Sequence, residues 1–200
     1  MNFLAHIYLS GRNEEVIIGN FIADNVKGRS YLSFSRDIQT GILLHRAIDS
    51  FTDSHAIFKK SKKRLFQRYG HYSGVIVDIL YDHFLAKNWS DYCDVDLETY
   101  VADFYDILER HFDILPEAVQ HLTPFMIADN WLVSYSTTDG IKKVLEGMNR
   151  RTKNRSKMNN AIDELAQFYR EFNREFKEFF DELKSYSEEQ LKILSSRDEL

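Results

Sequence analysis

Apolar residues recur at spacings of three and four along almost the whole chain, whereas the strict alternation typical of β-strands is scarce. Only two prolines and eight glycines interrupt this pattern. It predicts an all-α fold, with the clearest helices at residues 13–27, 41–53, 57–69, 73–87, 97–114 and 160–194. The last of these is a long C-terminal helix with a wide apolar stripe, which we expect to pack across a helical bundle.

The predicted helix at residues 41–53 is apolar on nearly every side but carries three ionisable groups on one face. His45, Asp49 and Asp53 follow one another at four-residue steps, so each is turned only about 40° from the last and lies about 6 Å further along the axis. Imidazole nitrogen and carboxylate oxygen both bind divalent metals, so His45 and Asp49 could share one cation. The alternative is a buried histidine–aspartate hydrogen bond with Arg46 as the counter-ion.

The predicted helix at residues 73–87 is also apolar all round and contains acids. Asp78 and Asp82 share one face, and His83 projects beside it. Two buried carboxylates on one face repel each other unless a proton or a cation lies between them. The two helices together favour a metal site, and a structural ion-pair network with Arg46 or Lys27 would satisfy the same electrostatics.

Two further candidates lie nearer the N-terminus. His6 belongs to a mostly apolar opening segment, and Asp24 lies on an apolar face of the predicted helix at residues 13–27. A single histidine in such a setting is more often a core residue than a ligand. Gly19, in the middle of the same helix, indicates close helix packing or space left for a ligand.

Length and composition predict one soluble globular domain over residues 1–200, with about 195–200 frayed. The chain is 44% hydrophobic and 28% charged, with a net charge of −5. Cys93 is the single cysteine, so no internal disulfide forms, which fits a reducing cytoplasm. No apolar run approaches the roughly 18–20 residues that span a bilayer, and the N-terminus does not read as a signal peptide. We therefore expect a cytoplasmic protein with no membrane partner.

Basic residues gather in two clusters. The first consists of Lys59, Lys60, Lys62, Lys63, Arg64 and Arg68. The second consists of Lys142, Lys143, Arg150, Arg151, Lys153, Arg155 and Lys157. Each is either a solvated helix face or a docking surface for an acidic partner. The chain is acidic overall and has no motif that reads nucleic acid, so nucleic acid is not the predicted partner.

Several motifs at matching spacing closely resemble the bacterial acyl carrier protein phosphodiesterases. They are M-N-F-L-A-H at 1–6, G-N-F-I-A-D-x-V-K-G at 19–28, G-x-x-x-H-R-x-I-D-x-x-T-D at 41–53, and D-x-x-Y-D-H-F-L at 78–85 followed by Trp89. The resemblance runs from Met1 through the region of Gly147 and Met148. The C-terminal helix resembles that family only in character.

The resemblance implies an enzyme that hydrolyses the phosphodiester between 4'-phosphopantetheine and a serine of holo-acyl carrier protein, which releases the apo form. It also implies a divalent metal, usually manganese, with Mg²⁺ or Fe²⁺ as other possibilities, and a distant relationship to the helical HD-type phosphohydrolases. By the same likeness Asp24 is an essential acid. This chain departs from the HD pattern because its adjacent pair is Asp82-His83 rather than histidine followed by aspartate.

The resulting hypothesis is metal-assisted phosphodiester hydrolysis. Its predicted metal ligands are His45, Asp49, Asp82 and Asp78. The predicted catalytic residues, acting as further ligands, general acid or base, or orienting groups, are Asp24, His6 and His83. Lys59, Lys60, Lys62, Lys63, Arg64, Arg150 and Arg151 would bind the acidic carrier protein.

Two other functions fit the same residues. An HD-like site could act on a small nucleotide or another phosphoester. A non-catalytic helical module could use its acids and histidines in internal ion pairs and bind a protein through its lysines. An iron-binding bundle is a weaker fit, because the repeated Glu-x-x-His pairs of such bundles are missing. The number of metal ions and the oligomeric state do not follow from the sequence.

Overall fold

A computed structural model describes residues 2–196, and its regular structure is helical throughout. The α-helices of this range are α1 (Phe3–Tyr8), α2 (Glu14–Ile22), α3 (Arg36–Ser54), α4 (Ala56–Tyr69), α5 (Ser73–Lys87), α6 (Leu97–Arg110), α7 (Glu117–Ala128), α8 (Trp131–Ser134), α9 (Thr138–Arg151), α10 (Ala161–Gln167) and α11 (Tyr169–Ser195). The all-α prediction is confirmed. The last four residues, which belong to the segment predicted to fray, lie outside the described residues. In the part of the chain that the structure describes, every helix falls short of the length or the apolar character needed to cross a membrane.

The core forms around α5, whose residues from Ile79 to Ala86 are all buried. The phenylalanines of α11 pack against it: the Tyr81 and Phe179 ring centroids are 5.5 Å apart, and those of Phe84 and Phe176 are 6.1 Å apart. The apolar stripe of the long C-terminal helix thus crosses the bundle as predicted.

The prediction of one continuous helix over residues 160–194 is wrong, because the helix breaks at Phe168. This residue leaves the helical conformation at φ −115° and ψ 27°. Just before the break, the Glu164 carboxylate accepts hydrogen bonds from Arg68 and Tyr69, and the Phe168 ring lies 5.5 Å from the Arg64 guanidinium. These contacts hold the chain against α4 at the break, where the sequence has no glycine or proline.

The predicted helix at residues 13–27 also ends early. α2 stops at Ile22, and a 3-10 turn (Ala23–Asn25) follows. Arg46 of α3 donates hydrogen bonds to the backbone carbonyl oxygens of Val26, at 3.1 Å, and Gly28, at 2.9 Å. Arg46 therefore anchors the loop after α2 and is not the counter-ion of His45 and Asp49. The turn also removes Asp24 from the helix and places it in an exposed position.

Part of the first basic cluster points inward. Glu175 of α11 is fully buried and accepts two hydrogen bonds from Arg64, at 2.7 and 2.8 Å. Lys60 lies 3.2 Å from the same carboxylate. These charges join α4 to α11, because a buried carboxylate is stable only when it is paired.

Two glycines allow α2 and α3 to pack backbone against backbone. A Cβ atom added to Gly19 would lie 2.1 Å from the carbonyl oxygen of Ile38, and one added to Gly41 would lie 2.1 Å from that of Val16. No side chain fits either place. The close packing expected at Gly19 is confirmed, and it fixes the position of α2 along α3.

We expect Gly41→Ala to destabilise the fold by about 3 kcal/mol, since the added methyl group would force the two helices apart. Chemical denaturation followed by circular dichroism measures this change. Gly74→Ala in α5 is the matched control: its Cβ meets no heavy atom closer than Lys62 Cε at 3.8 Å, so it should be neutral or stabilise by up to about 1 kcal/mol. Equal stability of the Gly41 and Gly74 variants would contradict this account.

Candidate metal centre

His6, His45 and Asp49 come together from helices that are distant in sequence. Their ligand atoms all lie within 4.8 Å of one another. The Asp49 carboxylate lies beside the Nε2 edges of both rings, with Oδ1 3.3 Å from His6 Nε2 and Oδ2 3.1 Å from His45 Nε2. Asp24, from the turn after α2, brings Oδ1 to 3.3 Å from His45 Nε2. Two imidazoles and the Asp49 carboxylate therefore face one point, and Asp24 lies beside His45 at its edge, outside the group of three.

Asn20 orients both histidines from behind. Its side-chain Oδ1 lies 2.8 Å from His6 Nδ1 and 3.2 Å from His45 Nδ1, and its backbone oxygen lies 2.8 Å from His45 Nδ1. Its Nδ2 donates to the His6 carbonyl oxygen, at 3.0 Å, and to Ser10 Oγ, at 2.8 Å. A carbonyl oxygen can only accept, so this contact identifies Nδ2 as the amino side of the amide and Oδ1 as the acceptor.

This network determines which ring nitrogens face the acids. Because Asn20 accepts at Nδ1 of both His6 and His45, each Nδ1 carries a proton and each Nε2 points toward the carboxylates. Both Nε2 atoms are buried, and among the described residues neither has a partner in hydrogen-bonding geometry. Each Nε2 lies within 3.3 Å of an Asp49 oxygen, which is an ion-pair distance, but the orientation of the two groups does not suit a hydrogen bond. Such an arrangement calls for a proton or a cation at the shared point.

The two histidines differ in their affinity for that proton. Burial and the neighbouring charge of His45 lower the pKa of His6 to about 4. Burial also acts to lower the pKa of His45, but Asp24 and Asp49 outweigh it and raise that pKa to about 9. The ring centroids are stacked 3.9 Å apart, so two positive charges would repel. In the absence of a metal, His45 is therefore the ring of the two that carries a positive charge near neutral pH.

The donor set fits a divalent cation. It combines two imidazole nitrogens with the Asp49 carboxylate, and a divalent cation would replace the proton on His45 Nε2. The side chains of His6 and His45 are 4% and 7% exposed, whereas those of Asp49 and Asp24 are 42% and 75% exposed. The nitrogens thus form the floor of the site and the carboxylates form its mouth, where a substrate could enter.

The structure gives Asp82 and Asp78 other surroundings. Asp82 is fully buried and accepts hydrogen bonds from the backbone N–H groups of Leu4, at 2.8 Å, and Ala5, at 3.3 Å. Burial raises its pKa to about 7. Asp78 lines a cleft beside the centre, and burial raises its pKa. Neither belongs to the ligand group of His6, His45 and Asp49, and their metal-binding roles stay predictions.

His83 contacts other parts of the fold. Its Nδ1 lies 2.7 Å from the Tyr135 carbonyl oxygen, and its Nε2 lies 3.4 Å from the Tyr169 hydroxyl. Burial lowers its pKa. The catalytic roles of His83, His6 and Asp24 remain predictions, and the last two lie at the centre.

Asn20 is a functional residue that the sequence analysis does not single out, although it lies inside the family-like motif at residues 19–28. It follows Gly19 directly in G-N-F-I-A-D and is fully buried on a helix of otherwise apolar core residues. A buried asparagine must satisfy both ends of its amide. Its place on an apolar helix was therefore the available signal.

We expect Asn20→Leu to weaken Mn²⁺ binding about 10- to 100-fold, because it removes the shared acceptor that orients both imidazoles. Isothermal titration calorimetry of the metal-free protein measures this effect. Asn173→Leu, at a half-buried asparagine of α11, is the control and should bind Mn²⁺ as the unaltered chain does. Unchanged affinity in a folded Asn20→Leu protein would show that Asn20 does not orient the ligands.

One family model and two bacterial proteins that are similar to this chain carry the same name. The family model for acyl carrier protein phosphodiesterase matches residues 1–183. The chain is 32% identical to the acyl carrier protein phosphodiesterase of Photorhabdus laumondii over 90% of this chain and 91% of that protein. Identity to the Pectobacterium atrosepticum protein of the same name is 30%, over 90% of this chain and 94% of that protein. No solved structure matches. The chain belongs to the acyl carrier protein phosphodiesterase family.

Proposed function

We propose that this protein is a metal-dependent hydrolase that cleaves the phosphodiester between 4'-phosphopantetheine and the serine of holo-acyl carrier protein. One observation carries the proposal. In a chain of this family, two buried Nε2 atoms with their lone-pair positions turned toward two partly exposed carboxylates form a site suited to a divalent cation. We propose manganese as that cation and, given the single cysteine, a reducing cytoplasm as the setting.

His6, His45 and Asp49 would hold the metal, with Asp24 beside them. When bound, a divalent cation lowers the pKa of a coordinated water and offsets charge on the phosphoryl oxygens. Asn20 keeps both imidazoles in the tautomer that binds metal. Asp24 is the most exposed of these four site residues and can accept a proton from the attacking water at the mouth. The neighbouring His45 imidazole, 3.3 Å away, lowers the pKa of Asp24, so its carboxylate is ionised and ready for that role.

The second basic cluster is better placed than the first to hold the carrier protein. Arg150 and Arg151 of α9 line the cleft that Asp24 also lines, whereas Arg64 and Lys60 of α4 are engaged by Glu175. We therefore propose that α9 makes the main contact with the acidic carrier protein. The exposed lysines of α4 stay a secondary prediction.

In a test of the activity, holo-acyl carrier protein incubated with enzyme and Mn²⁺ should be converted to the apo form, with release of 4'-phosphopantetheine detected by mass spectrometry. We expect Asp49→Asn to lower kcat/KM at least about 100-fold, because it removes the negative charge of the carboxylate that lies beside both histidine Nε2 atoms. Removal of the metal with EDTA should have the same effect, and added Mn²⁺ should reverse it.

Asp53→Asn is the matched control, since Asp53 lies one turn further along α3 and is exposed. It should retain activity. Persistence of the holo form with the Mn²⁺-loaded unaltered enzyme would overturn the proposed function.

We expect Arg150→Glu to raise KM for holo-carrier protein about 10-fold at low salt, and the difference should shrink at high ionic strength because exposed charges are screened. Steady-state kinetics at two salt concentrations measure this. Lys63→Glu, on the exposed face of α4, is the matched control with the same change of charge. A larger effect of Lys63→Glu would move the contact to α4.

A further inference from the structure

A second cavity opens directly beside the metal centre. Asn2, Phe3 and Asp24 line both the small cavity over the histidines and a larger cleft. The cleft has a volume of about 830 Å³ and extends between α5, α8 and α9. This volume is typical of a site for one small molecule or cofactor and is too small for a folded partner.

The walls of the cleft mix apolar and polar groups. Val75, Ile79, Trp131, Val144 and Met148 supply apolar surface. Ser134 and charged groups of both signs supply hydrogen-bonding positions along the same walls. Such walls suit a ligand that carries both apolar and hydrogen-bonding groups.

We propose that this cleft binds the pantetheine arm of the substrate, with the phosphate at the metal centre and the arm running past Asp24 between α5 and α9. The inference rests on the proposed function and adds the site that recognises the 4'-phosphopantetheine part of the substrate, which keeps the phosphate when the bond to the serine oxygen breaks. The arm of 4'-phosphopantetheine has the required chemistry, since a dimethyl-substituted carbon, a hydroxyl group and two amides follow one another along it. The carrier protein would then stay outside, against the basic surface of α9.

Gly147 keeps one wall of the cleft open. A Cβ atom added there would approach only Arg150 Nη2, at 3.8 Å, so a larger side chain can be introduced without a backbone clash. In Gly147→Leu the new side chain would occupy space in the cleft, and α9 would exchange a glycine for a good helix former. The variant should therefore fold and narrow the cleft.

Titration of the protein with 4'-phosphopantetheine tests the proposal. Trp131 lines the cleft, whereas Trp89 is buried with its Nε1 donating to the Val95 carbonyl oxygen, so a change in tryptophan fluorescence reports on the cleft. We expect Gly147→Leu to weaken binding at least 10-fold and to raise KM for holo-carrier protein by a similar factor. Mn²⁺ affinity, measured by calorimetry, should stay unchanged.

Gly74→Leu is the matched control. Gly74 also lies in a helix, with its nearest neighbour Lys62 Cε at 3.8 Å, and it does not line the cleft. It should bind 4'-phosphopantetheine as the unaltered chain does. A second pair of variants controls for a folding defect. Val75→Phe fills the cleft, whereas Val95→Phe changes a valine of similar exposure elsewhere, 44% against 37%. Loss of binding in Val75→Phe but not in Val95→Phe would support the same site.

The outcomes separate this inference from the function on which it rests. If the unaltered enzyme hydrolyses holo-carrier protein while Gly147→Leu and Val75→Phe bind 4'-phosphopantetheine and turn over substrate normally, the cleft is not the arm site and the proposed function stands. If the unaltered enzyme with Mn²⁺ hydrolyses no holo-carrier protein, the proposed function and this inference both fail.

Discussion

The backbone contact between α2 and α3 is the constraint on which the metal centre depends. With hydrogen atoms in place of side chains at Gly19 and Gly41, the helices come close enough for the Asn20 carbonyl oxygen to reach His45 Nδ1 at 2.8 Å. The Asn20 side chain then bridges to His6 on α1. A wider spacing would separate the acceptor from the imidazoles and leave both rings free to rotate.

The same contact explains the electrostatics of the centre. Both imidazoles are held by Nδ1, so their Nε2 atoms share the space beside Asp49. Burial, followed by the neighbouring charge of His45, lowers the pKa of His6, whereas Asp24 and Asp49 raise the pKa of His45. A divalent cation would relieve the arrangement, because it would satisfy two nitrogen lone pairs and the Asp49 carboxylate at once.

Asp82 contributes to this geometry in a different way from a ligand. Its carboxylate caps the first turn of α1 by accepting the N–H groups of Leu4 and Ala5, which have no partner within the helix. α1 is only six residues long and carries His6. The buried acid of α5 therefore holds in place the short helix that supplies one of the two imidazoles.

The sequence alone determined the all-α class, the long apolar C-terminal helix and the pairing of His45 with Asp49. Each follows from apolar periodicity or from spacing within one helix, although the break at Phe168 depends on contacts with α4 that periodicity does not show. The resemblance in motifs supplied the family. Tertiary structure decided that His6 and Asp24 join that pair, that Asp82 caps α1, and that His83 turns toward Tyr135 and Tyr169. A helical wheel shows which face a side chain occupies. The identity of the neighbour against that face depends on how helices distant in sequence cross, and here on the absence of side chains at Gly19 and Gly41.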